Sequence, residues 1–224
     1  MSPLKSLKRI LLPKRGLAPN PQGGGHPFAV PPRFRKDQFI FIHVPKCAGS
    51  TFLDSYIGYQ LGHVSAQYYF DADPDLYRQS YVCAFVRHPI QRFVSAYNYI
   101  HTCRLWPYLE NCSNLINDRA GTLNELACAI DDMPDILDLE WFRPQHGFLS
   151  VAGKLAVTRV FKTERYSDSI AILERELGFP LDGTGFVNSR SKKNLVFGPQ
   201  DLSEKAIQSL TRVYWKDFTL LGYY

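Results

Sequence analysis

The sequence predicts an α/β protein in which a central parallel sheet is flanked by helices in three layers. Two apolar runs, QFIFIHV at 38–44 with five of its seven residues apolar and the continuous YVCAFV at 81–86, read as strands covered on both faces. Each leads through a sharp turn into apolar residues at helical spacing. A third run, KLAVTRVFK at 154–162, precedes another helical pattern, and strands alternating with helices imply parallel crossovers.

Along the chain, residues 1–36 read as a flexible basic arm and 37–224 as a single domain. APNPQGGGHPFAVPPRFR at 18–35 is too rich in Pro and Gly to hold a helix or a strand ladder. The glycines at 23–25 follow no strand and precede no helix, so they read as linker. A helix is expected from Ser50 to about Leu61, with Phe52, Leu53, Tyr56 and Ile57 on its apolar face. Ile90 to about Thr102 repeats the pattern through Phe93, Val94, Tyr97 and Ile100. Residues 64–80 and 103–120 read as irregular, and helices are expected at 121–131 and 139–150. Ser167 is the expected cap of a helix stopped by Gly178, and Ser203 that of one closing helix through LSEKAIQSLTRVYWKDFTLLG.

At 224 residues, 45% hydrophobic and 21% charged, the chain can bury a sizeable core, and the composition excludes global disorder and coiled coil. Its net charge of +5 suits an anionic ligand without naming one. Lys5, Lys8, Arg9, Lys14, Arg15, Arg33, Arg35 and Lys36 meet no acidic residue within the first 36, a stretch read as a solvated arm capable of peripheral membrane contact. No run approaches the ~18 apolar residues of a spanning helix, so the expected compartment is the cytoplasm. The five cysteines (47, 83, 103, 112, 128) form no metal-binding spacing. Cys103 and Cys112 could pair in an oxidising compartment; the cytoplasmic reading leaves them as thiols.

The chemistry concentrates at two strand ends. After the first strand come Pro45, Lys46, Cys47, Ala48, Gly49, Ser50, Thr51 and Phe52. There the amides of 49–52 would face a ligand at the positive end of a helix, Ser50 and Thr51 would add hydroxyls, and Lys46 a point charge. A triphosphate-binding loop reads GxxxxGK[ST]. Here the first glycine is missing, Ser50 takes the lysine slot, and Lys46 stands three residues before Gly49. The second and third strands lead to Arg87 and Lys162 rather than to a magnesium-binding carboxylate, which argues against ATP or GTP hydrolysis. After the second strand, VRHPIQRFVSAY places Arg87, Arg92 and Ser95 across a turn and the first helical turns. Alone these fit a phosphate grip and an ordinary surface arginine and helix serine equally well. Beside the first loop they describe a ligand with two separated anionic groups, held without metal.

The combination resembles the sulfotransferases, in particular the membrane-type carbohydrate branch and its bacterial relatives. HVPKCAGSTF is similar to that family's loop for the 5'-phosphosulfate of 3'-phosphoadenosine 5'-phosphosulfate (PAPS). FVRHPIQRFVSAY is similar to its 3'-phosphate motif with R-x7-S spacing. RPQHGFLS, FKTERYSDSIAILERELG and WKDFTLLGY extend the likeness more loosely over about 38–224. The sequence is shorter than the Golgi enzymes and has no run like their anchor.

The resemblance implies a P-loop-type fold and a metal-independent transfer of the sulfuryl group from PAPS to a hydroxyl of a carbohydrate or glycoconjugate. Adenosine 3',5'-bisphosphate is the product. It places Lys46, Ser50 and Thr51 on the 5'-phosphosulfate, Arg87 and Ser95 on the 3'-phosphate, and Asn188, Ser189 and Lys192 of NSRSKKN over the nucleotide. Lys46 would stabilise the leaving oxygen and His63, in LGHVSA, would be the base. His146 is the other contender for the base and, with Arg92, an acceptor contact. His88 reads as orienting a loop and His101 as helix surface or core. Tyr68, Tyr69, Phe70, Trp106 and Tyr108, in the expected substrate loops, could stack on sugar rings or pack. No nucleic-acid partner is expected. The alternatives are a P-loop small-molecule kinase and a non-catalytic polyanion-binding protein that uses the basic arm.

Overall fold

The structure, a computed structural model, describes residues 29–103, 107–181 and 196–223. Its first helix, α1 (Pro32–Asp37), lies inside the stretch expected to be a loose arm. Pro32 can open a helix because its missing N–H would have had no partner there. Phe34 is fully buried against the rings of Phe39, Tyr56 and Tyr69, and Val30 is buried beside it. Arg33 and Arg35, expected to be unpaired, bond Asp37 and Asp73. The packed part of the chain therefore begins before the boundary at 36/37. Residues 1–28 lie outside the described residues.

Strand β1 (Phe39–Ile42) is followed by α2 (Gly49–Ile57), which stops at Gly58 with φ 79°, short of Leu61. The stretch 64–80, expected to be irregular, forms α3 (Ala66–Ala72) and α4 (Pro74–Gln79). Asp73 caps α4 by accepting from the Leu76 amide at 3.0 Å, an Asp-Pro start legible in the sequence. Strand β2 (Tyr81–Val86) and α5 (Pro89–Thr102) match expectation. Residues 103–118, expected to be a loop, carry α6 (Pro107–Asn117), whose Leu109, Cys112 and Ile116 are buried at helical spacing.

Next come α7 (Leu123–Ala129), a 3₁₀ turn at Ile130–Asp132 and α8 (Pro134–Leu137). Of the helix expected at 139–150 only α9 (Gln145–Phe148) forms, because Pro144 sits at its start and Ser150 enters a strand. The run at 154–162 is two strands. β3 (Ser150–Val151) turns back onto β4 (Lys154–Leu155) through Ala152 and Gly153, both at positive φ, as a tight hairpin requires. Only β5 (Arg159–Lys162) joins the main sheet. The helix α10 (Tyr166–Leu177) ends at Gly178 as expected, but Arg165 rather than Ser167 occupies its cap position. Ser203 caps α11 (Glu204–Val213), and the chain breaks at Tyr214 before α12 (Trp215–Leu220).

The main sheet is parallel, in the order β1-β2-β5, with Ile42 opposite Ala84 and Val86 opposite Lys162. This is a small three-stranded sheet flanked by helices. The loops after β1 and β2 leave neighbouring strand ends on one edge, where α/β folds place ligands. One buried cluster surrounds the sheet through Phe39, Phe41, Phe52 and Phe85. A second joins α5 to α6, α7 and α11 through Phe93, Ile100, Ile116, Leu126 and Leu210. Phe218 of α12 packs against both. Among the described residues no helix is long and apolar enough to cross a membrane.

Candidate active site

The loop between β1 and α2 is built on two left-handed residues, Lys46 at φ 65° and Ala48 at φ 60°. No side chain caps α2, and among the described residues the amides of Gly49, Ser50 and Thr51 have no partner. Thr51 is partly buried and Ser50 exposed, and neither hydroxyl is engaged among the described residues. The start of α2 is thus a cluster of donors without an acceptor.

Gly49 has no room for a side chain. A Cβ on it would fall 2.1 Å from Cδ2 of His43, so the ring of His43 fills that space. His43 is buried, with Nδ1 3.2 Å from the Leu61 carbonyl, and burial pushes its pKa down to about 3. The ring is therefore neutral and donates through Nδ1. Replacing Gly49 with alanine should lower stability by about 1–3 kcal/mol, because the buried ring cannot yield without moving its neighbours. The measurement is the urea midpoint; an unchanged value would show that His43 can leave its seat freely.

Lys46 turns its ammonium onto the ring of Tyr99 in α5, 3.9 Å from the centroid, and no carboxylate pairs with it among the described residues. Burial, with the nearby Arg87 charge, pushes Lys46 down to about 8. Burial, then Cys103, pushes Tyr99 up to about 12. Arg87 is half-buried, with no side-chain partner among the described residues. Ser95 is buried two turns into α5, and its hydroxyl likewise has no partner there.

Gln145 sutures the two loops. Its amide oxygen accepts from the Arg87 amide at 3.0 Å and from the Cys47 thiol at 3.3 Å, and its NH₂ donates to the Arg87 carbonyl at 2.7 Å. Burial pushes the Cys47 thiol up to about 12, so this cysteine is a packed donor rather than a nucleophile. Asp217 of α12, fully buried, accepts from the amides of Gln145 and His146 at 2.7 and 2.9 Å.

Arg92, expected to contact the acceptor, is buried. Its guanidinium donates to the carbonyls of Pro45 at 2.9 Å, Arg143 at 2.9 Å and Glu140 at 3.3 Å. It ties the Lys46 loop to the segment before α9. That segment carries Glu140, whose carboxylate meets His63 Nδ1 at 3.0 Å and the Tyr108 hydroxyl at 3.0 Å. Burial alone would raise the Glu140 carboxyl, but His63, Tyr108 and Arg143 together hold it below its ordinary value. The His63 ring also lies 4.5 Å from that of His43. Lys46, Tyr99, Trp141, Tyr108, Glu140 and His63 form one chain of neighbours, with Tyr99–Trp141 at 6.2 Å and Tyr108–Trp141 at 5.1 Å.

His146 is elsewhere, in the joint between α9 and α12, with Nδ1 2.8 Å from Asp217. His88 sits edge-on to Phe218 and Tyr223, and His101 bonds Ser113. Asn188, Ser189, Lys192 and Trp106 lie outside the described residues. Phe197 is held by both ends of the Asn98 amide, on the helix that carries Ser95 and Tyr99. Beyond β5, Glu164 uses both oxygens, on the His88 amide at 2.7 Å and the Tyr223 hydroxyl at 3.0 Å. Among the described residues no group of three His, Cys, Asp or Glu could hold a metal ion.

Sequence reasoning missed Tyr99, Glu140, Gln145 and Asp217. Gln145 lies 98 residues from Cys47 and 58 from Arg87, and no local pattern names partners at that distance. No family model, curated protein or solved structure matches the chain.

Proposed function

We propose that the protein is a sulfotransferase that moves the sulfuryl group of PAPS to a hydroxyl of a carbohydrate or glycoconjugate. The observation that carries this reading is Lys46. A mostly buried ammonium beside Arg87, resting on an aromatic ring and paired with no carboxylate among the described residues, belongs to a site whose anion comes from the ligand. The amides and hydroxyls at the start of α2, and the Arg87 and Ser95 side chains, which have no partner among the described residues, fit a donor with two separated anionic groups. Loops at the ends of adjacent parallel strands also support reading the sheet as the centre of a three-layer P-loop-type fold.

When bound, PAPS supplies an activated sulfuryl group on a phosphate leaving group. Lys46, Ser50 and Thr51 hold the 5' end, and Arg87 and Ser95 the 3'-phosphate. His63 takes the acceptor's proton as its oxygen bonds to sulfur. The bond from sulfur to the bridging oxygen breaks, and that oxygen keeps the electron pair beside the Lys46 ammonium. The half-exposed Tyr108 ring, bonded to Glu140, offers a surface for a sugar face.

The test is calorimetry with adenosine 3',5'-bisphosphate. Binding should be the same with and without EDTA and should weaken at least 10-fold in Arg87→Ala. Binding of ATP–magnesium with no binding of the bisphosphate would instead identify a kinase.

A further inference from the structure

We propose that Glu140 is a positioning residue that fixes His63 with its proton on Nδ1, leaving Nε2 as the acceptor that receives the substrate proton. This role rests on the transfer chemistry proposed above. Glu140 Oε2 approaches His63 Nδ1 to 3.0 Å as an ion-pair contact. Because an ionised carboxylate can only accept, two lone pairs at that distance would repel, which favours the hydrogen on that nitrogen. The other carboxylate oxygen is engaged by the Tyr108 hydroxyl at 3.0 Å, so the group cannot turn away. Its main chain is anchored too, because Arg92 donates to the Glu140 carbonyl.

His63 has a second neighbour. The ring of His43 contacts it at 4.5 Å, and His43 is itself seated on Gly49 and bonded to Leu61. Among the described residues His43 and Glu140 are the titratable groups in contact with His63, one neutral and one acidic. The imidazole thus meets Glu140 through Nδ1 and packs against the His43 ring, while its side chain keeps 20% of its surface open. Through Arg92, the carboxylate that orients His63 and the loop that carries Lys46 share a single anchor. His146 has the same carboxylate contact, but its Asp217 partner is fully buried and also holds two backbone amides, a structural cap.

The experiment is long-range ¹H–¹⁵N NMR of the full chain with labelled histidine, together with transfer kinetics. In the wild type, the neutral form of His63 should carry its hydrogen on Nδ1, with Nε2 bare. Glu140→Leu should release that tautomer and lower kcat about 100-fold with little change in KM for PAPS. Glu140→Asp should recover part of both, and Tyr108→Phe should keep the tautomer. These variants leave the main-chain anchor on Arg92 in place, and the remaining imidazole signals report whether each has folded. A wild-type His63 protonated at Nε2, or a tautomer unchanged in Glu140→Leu, would overturn the proposal. Loss of the tautomer in Glu140→Leu, with no transfer from PAPS by the wild type, would sustain the positioning by Glu140 and refute the sulfotransferase reading.

Discussion

Lys46→Met is expected to lower kcat/KM for sulfuryl transfer from PAPS by about 100- to 1000-fold, the loss that follows removal of one preorganised oxyanion donor. The fold should not suffer. Burial is the chief influence on the Lys46 ammonium and acts against its charge, and no carboxylate among the described residues loses a partner when it goes. Methionine keeps the contact with Tyr99 without the charge. The urea midpoint should therefore stay or rise while transfer collapses, a combination a structural lysine would not give. A pH dependence follows. The protonated form is the active one, and the free-protein Lys46 sits at about 8, so kcat/KM should fall as pH rises through that value. A flat profile from pH 7 to 9.5 would remove Lys46 from the chemistry.

Arg92→Met is expected to be the most destabilising single change at the site. The side chain is 1% exposed and its guanidinium satisfies three carbonyls, on Pro45, Arg143 and Glu140. A buried carbonyl left without a donor costs about 1–3 kcal/mol. The carbonyls of Arg143 and Glu140 are only partly buried, and the Cys47 thiol also approaches the Pro45 carbonyl at 3.5 Å. A total of about 3 kcal/mol is therefore expected, a large part of a typical domain's stability. The bisphosphate should also bind more weakly, since the loop bearing Lys46 loses its tie at Pro45. Arg92→Lys should recover little, because an ammonium lacks the fork that spans three acceptors. Denaturant titration decides the matter, and a midpoint unchanged in Arg92→Met would contradict the role.

What was legible from sequence differs between kinds of element. β2 and α5 were readable because an apolar run and a 3.6-residue period are local properties. The helices α4 and α6 carried the same signals, an Asp-Pro start and buried positions at 109, 112 and 116, so those misses were of reading. The split of 154–162 was different. Its first residues join a hairpin that depends on Ala152 and Gly153 at positive φ, and an alanine does not announce that conformation. The end of the arm, residues 29–36, was misread because Pro and basic residues outweighed one phenylalanine, yet Phe34 is what docks α1.

The sequence by itself determined the α/β alternation, the two turns after apolar strands and the donors in them: Lys46, the hydroxyls at 50 and 51, Arg87 and Ser95. Those properties follow from residue type and near neighbours. Only the tertiary structure decided that Gly49 makes room for His43, that Arg92 is a buried anchor, that Gln145 joins the two loops, and that Glu140 rather than water faces His63. The physical reason is that a polar side chain declares what it can bond but not which group it will meet. That choice was made where the two apolar clusters close on each other and bring residues tens of positions apart into contact.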